Sequence, residues 1–219
     1  MSRLPKLYRH HDTAHNLFCI WTLVKTVMPL VLAVCGMPAL AVAGSFSSEY
    51  SLEVFRSEAV SCRDPETGVM LTFLTSDAAT DKNLYFHERS WLADSSVILF
   101  DSNRSRGGTM GYLTKTGEIV RILSSDGKKI GRPTAAASRN SVFGLVDNRD
   151  VCEVALRIEY SSNPSASRSE VYARYRRIRR LEGVTGINGL NGNVNDRYIA
   201  LGVMPDGGRP RIIKVDVVT

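Results

Sequence analysis

Histidine is nearly missing from the body of this 219-residue chain. His10, His11 and His15 lie in a hydrophobic leader, which leaves His87 as the single histidine beyond it. A metal site built from several histidines is therefore excluded, and no Ser-His-Asp triad is arguable. Cysteine is as sparse. Only Cys62 and Cys152 follow the leader, so one bridge at most could form, which is no disulfide scaffold. With Cys62 read in a polar loop and Cys152 in a strand, two unpaired thiols are expected. Long helical periodicity is lacking after Ser45. A strong excess of one charge is lacking too: the chain carries 28 basic and 22 acidic residues, and outside the leader the balance is 24 against 21. That mild surplus argues against a nucleic-acid partner. No calcium-type loop of clustered carboxylates is visible. Gly183 to Gly192 (GVTGINGLNG) lacks the lysine and the strand–helix setting of a phosphate loop, and reads as a loop into later structure.

What is present begins with residues 1–43. Arg3, Lys6 and Arg9 make a basic start, and Val27 to Ala43 is a nearly unbroken apolar run ending in Ala41-Val42-Ala43. This is the small-x-small pattern cleaved by signal peptidase, here before Gly44. Export to a periplasmic or extracellular space is the expectation; the alternative is a hydrophobic helix retained as a membrane anchor.

Residues 44–219 read as all-β. From Asn83 to Leu123 four short strands follow one another, separated by turn chemistry: Tyr85 to Trp91, Val97 to Phe100, Thr109 to Leu113 and Ile119 to Leu123. Glycine at position 117 marks a tight turn needing positive φ. A four-stranded unit of this length is one blade of a β-propeller. The segments 92–100, 137–145 and 193–201 echo one another, each a polar turn leading into an apolar strand. Blade one is placed at about 83–123, blade two at about 133–181 with strands near Ala135, Val142, Val154 and Tyr175, and partial blade three at about 187–219. A lead-in strand, 69–75, precedes them and is expected to close the ring by pairing with a last blade. Closed propellers need at least four blades. The expectation is a partial, about three-bladed propeller from a truncated gene product, whose exposed sheet edges would allow self-association.

Several motifs carry a family resemblance. They are Ser48-Glu49-Tyr50, Asp64-Pro65-Glu66-Thr67-Gly68, Leu74-Thr75, Asn83-Leu84-Tyr85-Phe86, Asp101-Ser102-Asn103-Arg104 and Thr116-Gly117-Glu118. In order and spacing, Glu49 to about Leu123 resembles the N-terminal region of the oligogalacturonate lyases, with a weaker similarity to Tol-type periplasmic propeller repeats. The resemblance implies a seven-bladed propeller that degrades short pectin fragments by β-elimination. It also implies a divalent metal, typically manganese, held chiefly by histidines in later blades, with a separate histidine as base. This chain departs from that inventory, so no cofactor is expected in it and the part in hand is expected to be inactive alone. A non-enzymatic propeller module that binds protein or carbohydrate is the alternative.

No catalytic residue is assigned. Tyr85, His87 and Arg89 share one face of the first strand by period two and are the candidate substrate-binding residues, with acidic oligosaccharides as the ligand class. For His87 the competing expectation is a hydrogen bond between blades. Asp101 and Arg104 read as a local salt bridge. The run Arg174 to Arg180 suits carboxylates through the guanidinium fork, but reads first as an exposed edge protected against pairing.

Overall fold

The computed structural model describes residues 44–104, 107–163 and 167–218. The leader, and with it the export and anchor expectations, lies outside them. All regular structure among the described residues is β, and no helix there is long and apolar enough to cross a membrane.

Two short strands, β1 (Tyr50–Ser51) and β2 (Val54–Phe55), are followed by β3 (Val60–Arg63) and β4 (Met70–Phe73). A first meander runs through β5 (Asp81–Asn83), β6 (Val97–Ser102), β7 (Gly108–Leu113) and β8 (Ile119–Arg121). A second comprises β9 (Gly131–Ala135), β10 (Ser141–Val146), β11 (Asp150–Glu159) and β12 (Glu170–Arg180). The third comprises β13 (Val184–Gly192), β14 (Tyr198–Pro205) and β15 (Arg211–Asp216). All pairings are antiparallel, and each meander forms its own sheet.

The second sheet is buried on both faces, which explains why β10 (SVFGLV) is apolar almost throughout. Period-two alternation sends Val142 and Val146 into a core shared with Val97, Leu99, Val120 and Ile122 of the first sheet. Phe143 and Leu145 point the other way, into a core shared with Ile187, Leu190, Ile199 and Leu201 of the third. Between them sits Gly144, where a Cβ would come within 2.3 Å of Ile130 Cγ2. The turn after β10 is a type I′ turn: Asp147 and Asn148 both have positive φ (50° and 53°), and Arg149 N–H donates to Val146 O. Gly117 has φ +76°, as its turn requires.

The echo among the three polar turns has a structural cause. Asn140 of the second turn bonds Asp94 of the first, with Nδ2 donating to Oδ2 at 2.5 Å. Asp196 of the third accepts from Ala137 N–H at 2.6 Å and Ser138 N–H at 2.7 Å. Each turn thus latches onto the next sheet.

Several expectations are corrected. Residues 85–91 are not a strand. Asn83 pairs with Phe100 and Trp91 with Ile98, so seven residues (84–90) face the single Leu99 and must loop out. The lead-in strand is β4, narrower than 69–75, and it pairs with β3, which carries Cys62, rather than with a last blade. What does cover sheet edges is the segment before it. Gly44, Ser47 and Leu52 donate backbone N–H groups to Arg177, Tyr175 and Val171 of β12. Strand β1 also pairs with β12, and β2 with β8. One stretch of chain thus adds an outermost strand to both the first and the second sheet. The arginine-rich β12 is accordingly not a free edge along this stretch. Finally, 183–192 is not a loop: Ile187 and Leu190 are buried, and β13 accommodates its glycines through register shifts, with Gly189 at φ +64°.

Candidate functional site

The looped segment 84–90 holds all three candidate residues, on a turn rather than on one face of a strand. Leu84 is buried and anchors its start. Glu88 N–H donates to Tyr85 O at 2.7 Å, and Tyr85 N–H returns to the Glu88 carboxylate at 3.1 Å, closing a tight turn. This turn pushes Tyr85, Phe86 and His87 outward. Phe86 is 74% exposed and Tyr85 60%, yet their rings touch, with centroids 4.4 Å apart and the His87 ring 3.9 Å from Phe86. Three exposed rings in mutual contact form a small aromatic platform, a surface suited to the apolar face of a ring-shaped ligand.

His87 is exposed and does not tie sheets together. That role falls to Arg89. Its N–H donates to Thr134 Oγ1 at 3.1 Å, its carbonyl accepts from Ala135 N–H at 2.8 Å, and its Nη1 donates to Gly192 O at 3.1 Å. Arg89 thereby links the first sheet to β9 and to the end of β13. The sequence reading places Tyr85, His87 and Arg89 on one face of a strand over 85–91, where the structure has a loop. It missed the loop because no local signal announces a seven-against-one mismatch between partner strands.

Glu88 completes the segment. Burial pushes its carboxyl up and the charge of Asp101 adds to this, against the hydrogen bond from Tyr85 N–H and the charge of Arg132. Arg104 does not pair with Asp101. It is buried and bonds Glu58, with Nη2 to Oε2 at 2.5 Å, and Asp81. Arg104 therefore fastens the stretch before β3 to β5.

The arginines of β12 are mostly neutralised. Arg176 donates to the buried Glu153 at 2.6 Å, and Arg180 lies against Asp150 and Glu182. Arg174 and Arg176 stack over Phe46 of the covering segment. A groove of about 900 Å³ runs beside this strand, lined by Arg177, Arg179 and Lys128 but also by Asp126, Asp147 and Asp150. It is mixed in charge rather than a dedicated anion trough.

The fold is similar to part of an oligogalacturonate lyase. The chain superposes on the enzyme from Vibrio parahaemolyticus with a TM-score of 0.58 and 13% identity, over 78% of this chain and 47% of that one. It superposes on an oligogalacturonate lyase in complex with manganese with a TM-score of 0.54 and 13% identity, over 80% of this chain and 46% of that one. The chain spans about half the length of these structures. No protein-family model and no curated protein matches it. At this identity the likeness is one of fold. The manganese of the second structure has no counterpart donor set here: among the described residues His87 is the single histidine, and no group of three or more His, Cys, Asp or Glu could hold a metal ion.

Proposed function

We propose that this chain is an acidic-oligosaccharide-binding part of an oligogalacturonate-lyase-like β-propeller, with its three sheets as consecutive blades, and that the described part binds without cleaving. The observation that carries this reading is the fold match over about four-fifths of the chain. The exposed aromatic platform of Tyr85, Phe86 and His87 supports it as a place where a sugar ring can stack. Elimination from a uronate needs a base at C5 and a cation against the developing carboxylate charge. Among the described residues no such base is identified beside such a cation, so no step is assigned to them. We also propose export, on the leader sequence; N-terminal sequencing of mature protein beginning at Gly44 is the expected outcome.

Two measurements test the reading. Calorimetry with trigalacturonate should give saturable binding. Digalacturonate with and without manganese should give no growth of the ultraviolet band of an unsaturated product. Absence of binding removes the carbohydrate reading, and metal-dependent turnover by the purified chain removes the binding-only one.

A second reading, a protein-binding module that self-associates, has its own support. The β3–β4 hairpin exposes Val60, Met70, Leu71 and Phe73, each more than two-fifths accessible. Sedimentation across a concentration series, with Phe73→Ser as comparison, should show association that the variant weakens. A concentration-independent monomer excludes it.

A further inference from the structure

Arg121, at the end of β8, is unusual among the arginines. The residue is 9% exposed, its Nε has no hydrogen-bond partner, and its nearest carboxylate is Glu53 at 3.9 Å, a side chain itself more than half exposed. A buried guanidinium normally has its donors satisfied, because leaving them bare costs on the order of 1–3 kcal/mol or more. Arg121 lines a cleft of about 550 Å³ between the first and second sheets, together with Lys128, Lys129, Arg132, Asp147 and Asn148. Four cations face one carboxylate. Asp147 is taken by Lys128, whose Nζ lies at 2.6 Å. Among the described residues, Lys129 and Arg132 have no carboxylate within ion-pair distance.

The backbone shows that Arg132 is held in place at a cost. Gly131 pairs with Leu145 and Thr134 with Phe143, so Arg132 and Pro133 together oppose Gly144 in a bulge. Arg132 takes φ +49°, the left-handed region that favours glycine. A non-glycine residue strained at the rim of a cleft whose wall contains an unsatisfied arginine points to a ligand that uses both.

We infer that this cleft is an oxyanion-binding site, in which Arg121, Lys129 and Arg132 receive one carboxylate or phosphate group. The group would accept from the guanidinium of Arg121, while Lys129 and Arg132 supply charge from the rim. The same chemistry recognises the carboxylate of an acidic sugar and free inorganic phosphate. The site is separate from the aromatic platform, so it stands whether or not that platform binds carbohydrate.

The test uses the full chain and three probes at matched ionic strength: inorganic phosphate, galacturonate and neutral galactose. Thermal unfolding and amide chemical shifts read binding. Phosphate or galacturonate should raise the unfolding temperature and shift the amides of residues 129–132, whereas galactose should do neither. Tighter binding of galacturonate assigns an acidic sugar, and tighter binding of phosphate assigns the free anion. Arg132→Gly suits the left-handed backbone and folds without strain; with Lys129→Gln as a second variant, each should weaken binding about tenfold. Stabilisation no greater than equimolar charge as chloride, or binding unchanged in both variants, overturns the inference.

Discussion

Asp196 caps Ser138 across the boundary between the third and second sheets: its carboxylate accepts the Ser138 N–H at 2.7 Å and the Ser138 Oγ hydroxyl at 2.5 Å. Asp196 is 1% exposed and sits at φ +56°. Its remaining charge is met by Arg139 at 3.4 Å, which also donates to the buried Glu153 at 2.7 Å. Two buried carboxylates from different sheets therefore share one arginine, and the chain is held together there by charge-assisted hydrogen bonds as well as by the Phe143 core.

Replacing Asp196 should accordingly loosen the third sheet. Asp196→Gly retains the backbone preference but abolishes the acceptor, and is expected to cost about 3 kcal/mol in urea unfolding. Asp196→Asn, which tolerates the left-handed region and still accepts, should recover part of that loss. Equal stability of the glycine variant and the parent would show that the latch contributes nothing.

Acid should weaken the fold through the same residues. Burial pushes the Glu153 carboxyl up, but hydrogen bonds and charge from Arg139 and Arg176 outweigh it and hold the group below its ordinary 4.5. Asp196 is likewise pushed up by burial and held below 3.8 by Ser138, Ala137 and Arg139. The unfolded chain then binds these protons more readily than the folded one. Stabilisation is complete above the unfolded values and is lost as pH falls through the lower folded ones. Urea midpoints should be steady from about pH 7 to 5 and decline below. Glu153→Gln should be less stable at neutral pH, by about 3 kcal/mol, with a shallower acid limb. A midpoint that rises on acidification contradicts this.

The two described cysteines should separate cleanly by reactivity. Cys62 is exposed on β3, whereas Cys152 is buried, and burial pushes its thiol well up. Iodoacetamide on native protein should label Cys62 alone in a peptide map, and Cys152 only after unfolding. Native labelling of both at similar rates would place Cys152 on a mobile strand.

The aromatic loop should matter for ligand and little for folding. Tyr85→Ala with Phe86→Ala removes two exposed rings, so the unfolding temperature should hold. Trigalacturonate binding should weaken about tenfold, equivalent to ~1.4 kcal/mol. Loss of stability without loss of binding would make the rings structural.

Much of the architecture was legible in the sequence because it is written locally. Strands β6, β7, β10 and β14 follow directly from apolar runs closed by turns, and Gly117 from its turn. The echo of polar turns at 92–100, 137–145 and 193–201 was visible as repetition. Its meaning, a latch from Asp94 to Asn140 and from Ser138 to Asp196, required knowing which turns meet in space.

The candidate site was legible only in part. In the sequence Tyr85, His87 and Arg89 group as one face of a strand, but the segment is a loop in which Arg89 serves the junction between sheets while His87 stays exposed. Arg121 and Arg132 gave no local signal, since an arginine near a strand end reads as surface.

Amino-acid order alone determined the all-β character, the rough course of the three strand groups and the scarcity of histidine, because alternation, turn residues and histidine count are properties of short windows. The tertiary structure alone decided that 84–90 loops out, that residues 44–55 cover two sheet edges, and that Arg121 is buried beside Lys129 and Arg132. Each of these depends on pairing register and on contacts between residues far apart in the chain, and burial is a property of the neighbours a residue acquires on folding rather than of the residue itself.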